Sequence, residues 1–156
     1  MSLFIFLHDE WPELFAPAAQ AESLVYPDSR SSCFHARRAL ELAVHWLYKH
    51  DSTLKLPYQD HLSALVHEPT FRRAVGPAIF AKIKVIKDLG NLAVHSHKPV
   101  RQLGALTATK ELSTSCSGWR SPMRVERSRR TIFHSIQICF RRAAVSRRRP
   151  WNNCRS

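Results

Sequence analysis

The chain has 156 residues, room for one domain of ordinary size, and carries a formal net charge of +12. No stretch approaches the roughly 20 apolar residues of a membrane span, and the opening MSLFIFLHDEW has too short an apolar run and no cationic lead for a signal peptide. These features argue against a membrane-embedded or secreted protein and lead us to expect a soluble, cytoplasmic one.

In chain order, residues 10–24 read as a first helix, with Pro12 tolerable in its opening turn. Pro27-Asp28-Ser29 then supplies a turn and a cap. The helix after it, in SSCFHARRALELAVHWLYKHD, places Cys33, Ala36, Leu40, Ala43 and Leu47 at steps of three and four, with Ala39, Leu42 and Trp46 widening the stripe. Asp60 is the expected cap of a short helix, HLSALVH, which Pro69 ends. A second long helix opens at Pro77, after Gly76, and carries Ile79, Ile83, Ile86, Gly90 and Ala93 on one face. Pro99 stops it. Residues 100–112 begin a last helix, through Leu103 and Leu106. No segment alternates as a strand, so the spacing predicts an all-α fold: a small up-down bundle of about five helices, with the two long ones as its central pair.

The charge is not evenly spread. Residues 1–112 hold 13 Lys/Arg against 11 Asp/Glu, whereas residues 113–156 hold 11 Arg, no Lys and one acid, Glu126. We therefore divide the chain into a helical module, 4–112, and a disordered Arg/Ser-rich tail, 113–156. Cysteine usage divides the same way, with Cys33 in the module and Cys116, Cys139 and Cys154 in the tail. No CxxC pair or compact ligand spacing occurs, and His45 and His50 lie five apart, so no metal site is expected. There is neither a GxxxxGK[ST] nor a GxGxxG phosphate loop, and no cofactor is expected.

The candidate chemistry lies at the end of the second long helix. On a helical wheel Lys84, Lys87, Asp88, Asn91, His95 and Lys98 share an arc of about 100°. Such a strip could hold phosphate, or place His95, with Asn91, against an RNA backbone as general acid or base. The alternative is a solvated face opposite the isoleucines. Arg37 and Arg38 are further candidates for contact with nucleic acid.

The segment ARRALELAVHWLYKHDSTLKLPYQDHLSALVHEPTF, followed by KDLGNLAVHSHKPV, resembles the helical module at the N-terminus of R subunits of type I restriction-modification enzymes, which is similar to HEPN-like domains. The resemblance covers residues 4–112 and is densest over 36–101. It implies a HEPN-like bundle that works beside nuclease and helicase domains absent from this chain, with other subunits of the restriction complex and DNA as partners. Catalytic HEPN ribonucleases resemble one another through an Arg-Asn-x-x-x-His motif. In GNLAVH, Asn91 and His95 match it, but Gly90 stands where the arginine would be. Losing that cation removes the main electrostatic stabilisation of a crowded phosphate, so the resemblance implies a module with no catalysis of its own, serving in assembly or DNA positioning.

The tail has a simple origin in this reading. If one nucleotide was lost near codon 113, LSTSCSGWR can be read in the neighbouring frame as Phe, His, Val, Leu, Phe, Trp, Leu, Ala, an apolar continuation of the last helix. Further on, PMRVERSR admits Tyr-Ala-Arg-Gly-Ala-Lys-Pro, as the resemblance would lead one to expect. The expectation is a frameshifted tail without selected function, attached to a bundle whose last helix is half missing. The competing reading is a genuine Arg-rich nucleic-acid arm. Either tail would bind polyanions non-specifically and with steep salt dependence.

Overall fold

A computed structural model describes residues 2–119; the expectations for residues 120–156, most of the basic tail, lie outside the described residues. Within that span the fold is all-α, a helical bundle, with no strand among the described residues. Six helices appear: α1 Ile5–His8, α2 Pro12–Ser23, α3 Ser29–His50, α4 Leu62–His67, α5 Pro69–His95 and α6 over residues 102–119.

The two long helices, α3 and α5, form the centre. The stripe on α3 is buried as its spacing requires: Cys33, Ala36, Ala39, Leu40, Ala43 and Leu47 all face inward. On α5, Ile83, Ile86, Gly90 and Ala93 do the same. The α3 start is set by Asp28, whose carboxylate accepts from the backbone N–H groups of Arg30 and Ser31, each at 3.1 Å. These bonds, with one from the Ser31 hydroxyl, hold the Asp28 carboxyl below its ordinary range. On its other side α3 is tied to α2 by the buried Ser32 hydroxyl, which donates to the carbonyl of Ala21 at 2.6 Å.

Several local expectations need correction. The cap of α4 is His61 and not Asp60: its Nδ1 accepts from the Ala64 N–H at 3.0 Å. The second long helix begins earlier than Pro77. Glu68 caps a helical segment from Pro69, its Oε2 accepting from the N–H groups of Thr70 and Phe71. Gly76 then breaks the helix at φ 75° and ψ 165°, a region only glycine enters without strain, and Pro77 restarts it with no N–H to satisfy. Glycine and proline thus mark a kink inside a longer element. The short α1 was not foreseen; it buries Leu7, and Phe4 just before it is buried too.

The last helix differs most. Leu103 and Leu106 are exposed, at 73% and 40%, and the inward face is Ala105, Ala108, Leu112, Cys116 and Trp119. Nor does the helix stop at Leu112. Residues 113–119 stay helical although they are mainly Ser, Thr and Gly, poor helix formers in the main. Their hydroxyls bond back to the preceding turn, Thr114 Oγ1 to the Lys110 carbonyl at 2.7 Å and Ser117 Oγ to the Ser113 carbonyl at 2.9 Å. Antiparallel packing of α6 on α5 is fixed by Gly118 against Ile79, Lys82 paired with Glu111, and Gly104 against Leu89.

Candidate nucleic-acid interface

Contacts along their whole length set the register of α3 and α5. At one end the Tyr48 ring stacks on Phe71, with centroids 5.8 Å apart, while its hydroxyl donates to the carbonyl of Leu65 at 2.8 Å. At the other end Arg30 binds the terminus of α5: Nη1 donates to the carbonyls of Ala93 (2.8 Å) and Ser96 (2.7 Å), and Nη2 to that of Lys98 (2.8 Å). A guanidinium suits this place because the last carbonyls of a helix lack intrahelical partners and carry partial negative charge. The helices therefore run antiparallel, with Arg30 beside residues 93–98 and Tyr48 beside Phe71.

Between these ends Arg37 lies across Gly90. A Cβ on Gly90 would stand 2.4 Å from Arg37 Cβ and under 3 Å from its Cγ and Cδ. Position 90 is thus filled by the neighbouring helix, and the sequence pattern alone could not reveal this. A motif arginine could not be accommodated at 90 without moving α3. Arg37 Nε is buried without a hydrogen-bond partner.

The predicted site residues fall into two groups. Lys84, Lys87 and Asn91 follow one another along the same face of α5, next to the turn that Arg37 covers. Lys87 is well covered, at 11% side-chain exposure, and its nearest carboxylate is Asp88 at 3.8 Å, a loose pair. Asn91 is half-buried, Lys84 exposed. The second group is dispersed. Arg38 is on α3 and pairs with Glu41 at 3.4 Å. His95, one turn past Asn91, continues the face of the first group and is exposed in the last turn of α5. Lys98 lies past the helix, which ends at His95 with an extended Ser96, so it is not on the wheel with the others. Arg30 was missed, since a tertiary cap formed more than 60 residues away leaves no local signal.

Other reactive groups are kept out of use by burial. The Cys33 thiol is pushed up to about 11 and that of Cys116 to about 12, both by desolvation, so neither is a ready nucleophile. Among the described residues no three His, Cys, Asp or Glu side chains gather as a metal site, and no helix is long and apolar enough to cross a membrane.

Residues 19–119 match the family described as a domain of unknown function, DUF4145. The chain belongs to this family. The DUF4145 match takes in α3, α4, α5 and the whole described length of α6, together with the last turns of α2. It therefore contains both the Arg37–Gly90 contact and the buried end of α6. No curated protein and no solved structure matches the chain.

Proposed function

We propose that this DUF4145 chain is the N-terminal helical module of a type I restriction enzyme R subunit, cut short by a frame slip in α6, and that it acts in assembly or DNA positioning and not in catalysis. The resemblance that suggests the family is densest over 36–101, which is the α3–α5 pair.

The observation that carries the reading is the register of α6. Its buried positions beyond residue 111 are 112, 115, 116 and 119. In frame, two of these carry polar atoms with no partner, Ser115 Oγ and Trp119 Nε1. Such orphans cost about 1–3 kcal/mol each. Read in the neighbouring frame, positions 113–119 can become Phe, His, Val, Leu, Phe, Trp and Leu, with the site at 116 limited to Leu, Val or Met. That order puts a valine and two leucines at 115, 116 and 119. At 115, 116 and 119 the neighbouring-frame residues suit a buried face better than the in-frame ones, whereas a tryptophan at 118 would require Ile79 to move, since a Cβ there stands 2.7 Å from its Cδ1.

An assembly role also needs a surface to dock by. Leu3, Tyr26, Leu103 and Leu106 are exposed around one groove between the N-terminal segment, the end of α2 and α6.

The test is to sequence the gene across codons 105–160 and onward. The reading expects a slip near codon 113, with nuclease and helicase motifs in the neighbouring frame. A single intact frame ending after residue 156, with no such motifs beside it, would sink it.

A second reading, a HEPN-type ribonuclease, has one observation in its favour: Arg37 brings a guanidinium stem to the position where the motif lacks its arginine. RNA cleavage by purified protein that disappears in His95→Ala would support this reading over the first.

A further inference from the structure

The faces of α5 are almost all assigned. Ile79, Lys82 and Leu89 meet α6. Phe80 meets α4, through an edge contact with His67 at 5.8 Å, and carries the Arg72 guanidinium 4.7 Å above its ring. From Phe80, steps of four, three and four lead to Lys84, Lys87 and Asn91 on the same face. Beyond α4, which ends at His67, Lys84 on this face is exposed and Lys87 and Asn91 are partly covered.

What lines that stretch is unusual for a packed helix pair. Arg37 is laid on the turn of α5 that contains Lys87, Gly90 and Asn91, because Gly90 has no side chain to hold it off. Its Nε is buried and unpaired, and no carboxylate or other acceptor binds its guanidinium among the described residues. Lys87, at 11% exposure, has only the loose contact with Asp88. The buried Nε lacks a partner, a cost that an acceptor on a ligand would relieve, while the two outer nitrogens are not buried and stay accessible to one. The contrast with Arg30 is direct: that arginine, on the same helix, has three carbonyl partners.

From this juxtaposition we propose that the α3–α5 seam is a phosphodiester site, in which Arg37, seated on Gly90, binds a backbone phosphate of DNA with Lys87 and Asn91 beside it and Lys84 on the next phosphate. Arginine presents a planar fork that matches two phosphate oxygens, and a lysine adds a point charge. From Lys84 to Asn91 the helix rises about 10 Å, which spans about three phosphates along the axis of one strand. The contacts proposed are to phosphates, which position the duplex without reading its sequence. This inference rests on the DNA-positioning half of the function proposed above.

The experiment uses the full chain and a short fluorescein-labelled DNA duplex, titrated by anisotropy at several salt concentrations. The Arg-rich tail contributes equally to every variant, so differences report the seam. Arg37→Gln is expected to weaken binding about five-fold and to lower the salt slope by about one unit, with Lys87→Gln weaker in the same direction. Arg37→Lys should restore part of the loss. Arg101→Gln removes the same charge from an exposed position outside the seam, and is expected to change affinity less than two-fold. Equal losses for Arg37→Gln and Arg101→Gln would reduce the effect to bulk charge and overturn the site. So would no loss in Lys87→Gln, the variant that decides if Arg37→Gln does not fold. Arg37-dependent binding of polyglutamate, with no such dependence on DNA, would overturn it in favour of an acidic protein partner. The gene-sequence test is indifferent to all of these outcomes, so the site can fail while the subunit reading stands.

Discussion

Gly90 exists for Arg37: the stem of the arginine occupies the space a side chain at position 90 would need. The closest approach, 2.4 Å, is to Arg37 Cβ, which is fixed to the α3 backbone and cannot swing away. Gly90→Ala therefore forces the two central helices apart. Overpacking of this kind costs about 1–3 kcal/mol, against a helix-propensity gain of about 1 kcal/mol for replacing glycine. The expected net is a loss of about 1 kcal/mol, read as a lowered urea midpoint. Arg37→Ala should not rescue Gly90→Ala, because it keeps the offending Cβ. A stabilised Gly90→Ala protein would show that the helices are not in close contact there.

Arg30 closes the other end of the same pair. Its three bonds to the carbonyls of Ala93, Ser96 and Lys98 satisfy acceptors that the helix cannot. Arg30→Ala is expected to cost about 2–3 kcal/mol and to raise amide exchange in the last turn of α5. Arg30→Lys should recover less than half of that loss, since one ammonium cannot reproduce a fork spread over three carbonyls. Full recovery by lysine would reduce the contribution to charge alone.

The acid limb of stability should carry the signature of Asp28. Hydrogen bonds from Ser31 and Arg30 lower its folded pKa, so its contribution is present above the unfolded value and lost as the pH falls through the folded one. Asparagine caps nearly as well and does not titrate. Between neutral pH and about pH 3, wild type should therefore lose more of its melting temperature than Asp28→Asn does. Parallel losses in the two proteins would mean that the Asp28 carboxyl is not depressed.

How much of this was legible depended on how local each cause is. The stripes of α3 and α5 could be read because their apolar residues repeat within the element, and Asp28 because a cap acts on the next two residues. The helical segment before Gly76 was hidden by its punctuation: Pro69, Gly76 and Pro77 read as a stop and a start, whereas Glu68 and a single glycine dihedral make them a cap and a kink. The inward face of α6 was not legible, because Leu103 and Leu106 stay outside while Ala105, Ala108 and Leu112 turn inward. Of the candidate site, Lys84, Lys87 and Asn91 were recoverable from helical phase. The placing of Arg37 on Gly90 was not, since it joins residues 53 positions apart through a shape and not a pattern.

The end of α6 offers a test that needs no gene. Ser115 is fully buried and its hydroxyl unpaired, Cys116 is 4% exposed, and Trp119 is 3% exposed with its indole N–H unpaired. Ser115→Val removes one orphan and adds buried apolar surface; Cys116→Leu adds more; Trp119→Leu removes the second orphan but gives up part of a large ring. Each orphan removed is worth about 1–3 kcal/mol, and the volume lost at 119 takes back about 1–3 kcal/mol. The triple variant is therefore expected to gain about 1–3 kcal/mol over wild type, with Ser115→Val alone giving about 1 kcal/mol. Thr114→His, also a neighbouring-frame residue but at an exposed position, should change little. If the triple variant is less stable while Thr114→His is neutral, the core at the end of α6 suits the in-frame residues, and the frame-slip reading loses the register on which it rests.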